Sequence, residues 1–255
     1  MKHFIKKFKY EIDINEPNAL SEAVAILDTS SKPKINLEFL KKKNIKARIN
    51  IDNKVHIDAF PQKIKESLLL MPLPDITLVY LDQSYNLNYN FNKLEIENNL
   101  IRDLNTLTNS YNLNETIRNS IYAYIGYKST IITTLISALE SFFNQLIERQ
   151  IGRIITLGKK EYIVNYKLNF EEKIKYVIPH ITNKKYDLSN NLLLELNGLR
   201  NDIIHLKYGE KGLVNSSLID RMIRFDFKKN YSEVVKYFNY YKPEYVQECR
   251  CTSEY

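Results

Sequence analysis

Apolar residues alternate with polar ones along the first part of the chain and recur every three or four residues along the second, and this change of period is the main signal in the sequence. Phe8, Tyr10, Ile12 and Ile14 alternate with Lys9, Glu11 and Asp13, which predicts a half-buried strand. Asn18 to Asp28 and Leu37 to Lys43 read as short helices. Ile45 to Ile51 and Val55 to Ala59 alternate on either side of Asp52-Asn53, the pattern of a hairpin. Pro61 to Leu70 reads as a helix with proline in its first turn. Ile76 to Leu81, rich in β-branched residues, predicts a strand. Tyr85, Leu87, Tyr89 and Phe91 alternate with asparagines as its antiparallel partner. Residues 1–92 therefore predict a small α+β domain, and 93–112 a connecting helix.

From Asn114 onward the period is helical. Asn114 can cap a long helix reaching about Gln150, with Ile117, Ile121, Tyr124, Ile132, Leu135, Ile136, Leu139, Phe142 and Phe143 among its apolar positions. Gly126 is a point at which that helix can divide. Gly152 and Gly158 flank a loop. Asn169 can cap a helix ending at Ile178 before Pro179. A further helix spans Asp187 to Lys207, ended by Gly209 and Gly212. The last spans Ser216 to Tyr241. Residues 113–242 thus predict an all-α bundle of four or five helices, with a tail over 243–255.

Composition narrows the class of protein. The chain has 255 residues, 44% hydrophobic and 26% charged, a balance that supports a folded core. The net charge is +7 and the pI near 9.1, compatible with nucleic acid as a partner. The six glycines include none before Gly126, so the first half holds no glycine-rich phosphate loop, and no such pattern follows. The two cysteines, Cys249 and Cys251, have neither disulfide-framework nor zinc spacing. No metal or cofactor signature occurs. No apolar run is long enough for a membrane helix, and the N-terminal residues lack a signal-peptide core. A cytoplasmic protein is expected.

Within the Asp187–Lys207 segment, Leu192, Leu196, Leu199, Ile203 and Leu206 step by four and three along one face. At about 100° per residue, Arg200 lies about 80° and His205 about 220° from Leu192. The two flank a second face carrying Asn197, Asn201 and Ile204. Asn201 and His205, four apart, are helical neighbours. Gly198 lies on the same side, where a mid-helix glycine points to close approach by another group.

Leu199-Arg200-Asn201-Asp202-Ile203-Ile204-His205 resembles the signature of the HEPN superfamily, an Arg followed by a polar residue and then by a His four to six places on. Leu135-Ile136-Ser137-Ala138-Leu139-Glu140-Ser141-Phe142-Phe143-Asn144 is similar to that family's first long helix, which often carries an acidic or polar residue near the site. The resemblance covers about residues 113–242 and implies a HEPN-like helical bundle acting as a metal-independent endoribonuclease, commonly a toxin or an antiphage, abortive-infection effector. It implies RNA as substrate and a homodimer in which two motif copies meet. In this reading Arg200 holds the phosphate, His205 moves a proton, and Asn201 orients His205. Glu140 is a candidate supporting residue. A candidate antitoxin or sensor partner follows from the same likeness. Some relatives carry a Tyr two residues after the His; here that place is Lys207, with Tyr208 one further on.

Arg221, Arg224, Lys228 and Lys229 fall on one face of the last expected helix and are candidate phosphate contacts. Each of these residues also has an ordinary structural reading: an Arg on a surface carboxylate, a His in a plain hydrogen bond, a solvated basic face. The rival to a ribonuclease is a catalytically inactive HEPN-fold module that binds a protein or a nucleotide.

Overall fold

The structure, a computed structural model, describes residues 4–8, 11–13, 25–27, 37–43, 47–51, 55–205 and 216–248. The chain divides into two compact units, one over His3–Leu78 and one from Val79 onward.

The first unit holds β1 (Glu11–Asp13), β2 (Ala25–Leu27), α1 (Leu37–Lys43), β3 (Ala47–Ile51), β4 (Val55–Ile64) and β5 (Ser67–Pro72). The expected hairpin is present: β3 runs antiparallel to β4, with Ala47 opposite Ala59 and Ile51 opposite Val55. β4 is long enough to pair also with β1 and, over its second half, with β5. Buried Leu40, Ala47, Ile57 and Ala59 form the core here. Two expectations are overturned. Of the Asn18–Asp28 helix, the described part, Ala25–Leu27, is a strand parallel to β3. The Pro61–Leu70 helix is instead the tight hairpin of β4 and β5, with Ile64 opposite Ser67 and Lys65 in the turn at φ 52°. Pro61 begins no helix: it lies in β4 opposite Leu70, and the flanking apolar residues pair across the turn.

α2 (Ile76–Lys93) replaces the strand pair expected over residues 76–91. Asp75 Oδ1 accepts the Thr77 N–H at 2.9 Å, which satisfies one of the free donors of a helix start. Leu78, Leu81, Ser84 and Phe91 are buried, a helical rather than an alternating set. The alternation of tyrosine, leucine and asparagine coincides with, and loses to, this stripe. The division between units accordingly falls at residue 78, not at 92.

The second unit continues with α3 (Ile96–Ser110) and α4 (Glu115–Ile147). α3 packs along α4, and Ser120 Oγ donates to Asp103. As expected, Asn114 caps α4: its side chain accepts the Ile117 N–H at 3.0 Å. Gly126 does not interrupt the helix. After a 3-10 turn come β6 (Ile154–Leu157) and β7 (Lys160–Ile163), a hairpin where a loop was expected; Gly158, at φ 63°, makes its turn. Then follow α5 (Phe170–Glu172), a π-turn over Lys173–Val177, α6 (Ile178–Thr182), α7 (Leu192–Ile204), α8 (Ser216–Ile223) and α9 (Phe227–Tyr241). Pro179 does not end its helix. The wide turn before it, in which Ile178 N–H bonds the Lys173 carbonyl five residues back, precedes a proline that needs no N–H partner.

The core of this unit lies on α4. Ile131, Ile132, Leu135, Ile136, Leu139, Phe142 and Phe143 are all buried, and burying each such side chain stabilises by about 1.5–3 kcal/mol. Phe142 meets Phe238 of α9 at 4.4 Å between ring centroids, and Phe143 meets Phe170 at 4.9 Å. The helix from Glu115 to Gln150 is, among the described residues, the one long and apolar enough to cross a membrane, with a mean hydropathy of 1.3 over its most apolar window. The apolar set is used instead inside the unit, where 56% of that window is buried. The described chain is thus an α+β start followed by helices, with one small hairpin among them.

Candidate functional site

The site is assembled by two helices. Leu193, Leu196 and Leu199 of α7 are buried, and α7 packs on α4. That packing brings Arg200 beside Glu140, an acidic residue in the second half of the long helix, with Nη2 and Oε2 4.0 Å apart. Both side chains are partly exposed, 25% and 39%, so this ion pair contributes little to stability. Arg200 Nη1 also donates to Asn201 Oδ1 at 2.9 Å. Arg200, Asn201, Asn197, Glu140 and Asn144 line one open cleft of about 470 Å³, together with Tyr166, Asn169, Glu171 and Lys173.

Lys173 was not foreseen. It is 5% exposed, in the first position of the π-turn, and its Nζ donates to Asn144 Oδ1 at 3.0 Å and to the Tyr166 carbonyl at 2.9 Å. Burial holds its pKa below the ordinary lysine value, and the charge of Glu140 opposes that shift. A faint signal was available for Asn144, which follows Glu140 by four residues and so shares its helix face. Nothing in the spacing of the sequence pointed to Lys173, because it comes from a separate element. Asn169 was foreseen only as a cap, and it is one: it accepts the Glu172 N–H at 2.8 Å, with Glu172 completing the reciprocal capping pair.

His205 is placed differently from the helical projection. α7 ends at Ile204, and His205 is its C-cap, at φ −103° and ψ 47°, exposed, with its N–H bonded to the Asn201 carbonyl at 2.8 Å. It does not line the cleft that Arg200 lines. The Asn201 side chain accepts from Arg200 through Oδ1. The helix stops short of Gly209 and Gly212, which, with Lys207 and Tyr208, lie outside the described residues.

The basic strip is also rearranged. The expected last helix is broken after Ile223, and α9 starts afresh with Asp226 as its cap, accepting the Lys229 N–H at 3.0 Å. Arg221 and Arg224 therefore belong to α8 and its end, Lys228 and Lys229 to the first turn of α9, and they share no single helix face. Arg221 is ion-paired with Asp202 of α7. Among the described residues no close approach requires Gly198: a Cβ built there would meet Arg221 Nη2 at 3.6 Å, an ordinary contact. Gly198→Ala should therefore be tolerated and raise stability by up to about 1 kcal/mol through helix propensity, read as a higher urea midpoint at unchanged slope.

Among the described residues, no group of three or more His, Cys, Asp or Glu side chains is placed to hold a metal ion. Cys249 and Cys251 lie outside the described residues. Comparison of the chain with family models, with curated proteins and with solved structures returns no match.

Proposed function

We propose that the helical unit is a HEPN-type, metal-independent endoribonuclease, acting as a toxin or antiphage effector, in the cytoplasm and as a homodimer. The observation that supports this most is that Arg200, Asn201 and Glu140, from two helices, line one polar cleft, with Arg200 in contact with both of the others. These are the residues that the likeness to the family singles out. RNA brings its own nucleophile, the 2′-hydroxyl. In the reaction proposed, the 2′-oxygen attacks the adjacent phosphorus, its proton passes to a base, and the 5′-oxygen leaves with a proton. The products are a 2′,3′-cyclic phosphate and a 5′-hydroxyl. The Arg200 guanidinium holds the phosphate oxygens and offsets the charge that builds on them. His205, whose imidazole can accept or donate a proton, serves as the base or the acid.

His205, the C-cap of α7, does not line the cleft that Arg200 lines, and in this reading a second protomer, related by a two-fold axis, supplies the other half of the site. The same observation favours the rival reading, an inactive module that uses the Arg200 cleft for binding alone. Incubating the full chain with total RNA in the presence of EDTA separates the two. Wild type should degrade the RNA and His205→Ala should leave it intact; equal survival of RNA with both proteins would leave only the binding module. Light scattering at micromolar concentration should give the mass of a dimer, and a monomer would rule out a composite site.

A further inference from the structure

Asn197 and Gly198 are neighbours in α7, and of the 28 asparagines in the chain only Asn197 precedes a glycine. That pair carries a chemistry of its own. The backbone nitrogen after an asparagine can attack the side-chain amide carbon, and a glycine, with no Cβ, leaves that nitrogen unshielded and free to turn. The helix holds the reaction off. Within Leu192–Ile204 the Gly198 N–H points along the axis to the carbonyl of Leu194, four residues back, and the helical backbone keeps its nitrogen away from Asn197 Cγ.

Protection lasts as long as α7 does, and α7 is held by packing more than by its own sequence. It has a glycine in its middle, its N-cap Asn191 is left-handed at φ 54° with no side-chain cap bond, and its last turn has no basic residue. Leu193, Leu196 and Leu199 fix it to α4, while Ile204 in the last turn is 49% exposed. An element built in this way opens locally before the whole unit unfolds.

We propose that Asn197 is a deamidation site gated by α7. On opening, the Gly198 nitrogen bonds to Asn197 Cγ, the C–N bond of the side-chain amide breaks, and ammonia leaves with the Gly198 proton. The cyclic imide takes up one water, which opens either ring carbonyl and leaves aspartate or isoaspartate. Aspartate puts a carboxylate three residues before Arg200, on a neighbouring position of the same cleft, where Arg200 already meets Glu140. Isoaspartate adds a carbon to the backbone and interrupts the helix. The modification thus records openings of α7 and disables the face that carries Arg200. Its effect on activity rests on the ribonuclease reading; the modification itself does not.

The test incubates the full chain at mildly alkaline pH with and without denaturing urea, and peptide mass spectrometry reads the amide-to-acid exchange at Asn197. In urea Asn197 should convert faster than Asn109 and Asn119, which precede serine. Without urea it should convert at least about tenfold more slowly, since only open molecules react. Leu193→Ala leaves the pair untouched and loosens α7 from α4, so it should raise the native rate at least about tenfold. Leu193→Val, a milder truncation, should raise it less and serves if Leu193→Ala does not fold. Gly198→Ala should suppress conversion in urea and in buffer alike. Equal rates with and without urea, no lead over Asn109 and Asn119 in urea, or a native rate indifferent to both Leu193 variants overturns the proposal. Asn197→Asp, the mimic of one product, should stay folded and lower RNA cleavage at least about tenfold; cleavage equal to wild type overturns the disabling of the cleft. Conversion as stated, by a protein that leaves RNA intact, upholds the site and removes the nuclease reading.

Discussion

Arg200→Ala should lower RNA cleavage by about 10²–10³-fold while leaving the protein folded, the magnitude that follows when one preorganised donor to a developing oxyanion is removed. Two effects compete in such a variant, loss of chemistry and loss of structure, and the surroundings of Arg200 decide between them. Its ion pair with Glu140 is 4.0 Å long and partly exposed at both ends, so its removal costs at most about 1 kcal/mol. The Glu140 carboxylate left behind remains hydrated. The Asn201 amide loses its donor at a half-buried position, where water can replace it. Thermal unfolding should therefore move by a few degrees at most, while the initial rate on RNA falls by orders of magnitude. Arg200→Lys should recover little, because an ammonium cannot donate two parallel hydrogen bonds to a phosphate. A loss of activity matched by a comparable loss of folded protein would place Arg200 among structural residues.

Phe142→Ala should destabilise the helical unit by about 3–5 kcal/mol, the largest single stability effect expected here. Phe142 is fully buried, and its ring meets Phe238 at 4.4 Å, Tyr245 at 5.2 Å and Tyr237 at 6.2 Å. These neighbours come from α9 and the segment after it, so the cavity is bounded by elements that cannot close on it without breaking their own packing. The amino group of Lys242 also lies over the ring at 5.5 Å. Against a total stability of about 5–15 kcal/mol, that loss leaves a small margin. Ile204→Ala, at a side chain 49% exposed, is the matched control and should change the denaturant midpoint little. Urea titration followed by circular dichroism compares the two, and a small effect at Phe142 would mean that the α4–α9 core is not the main support of this unit.

How far the sequence could be read depended on how many elements a feature needed. Asn114 and Asn169 were recognisable as caps because capping is local: the side chain reaches a donor three residues away. The long helix after Asn114 was legible because its stripe runs for many turns. The segment from residue 76 to 91 was misread because two periods fitted it. Asp75 and the buried Leu78, Leu81 and Phe91 decide for the helix, and burial is not visible in a sequence. The Pro61–Leu70 segment failed for a related reason: proline suits both a first helical turn and certain strand positions, and the pairing with β5 settled it.

The site shows the same division. Arg200 and Glu140 were singled out separately, and their approach depends on α7 lying along α4, a tertiary fact. The helical projection places His205 one turn beyond Asn201; α7 ends one residue earlier, and His205, as its C-cap, keeps the N–H bond to the Asn201 carbonyl. Lys173 left no mark in the sequence because its importance comes from burial next to Asn144, twenty-nine residues away in the chain. The basic strip was drawn on a helix that Asp226 restarts, and an aspartate before Phe227 was the available warning.

The most direct test is the chemistry of the RNA ends left by the purified full chain in EDTA. Wild type should yield fragments with a 2′,3′-cyclic phosphate and a 5′-hydroxyl, and Arg200→Ala and His205→Ala should yield none above background. Fragments with a 3′-hydroxyl and a 5′-phosphate, or identical products from wild type and both variants, would contradict cleavage by 2′-hydroxyl attack at this motif.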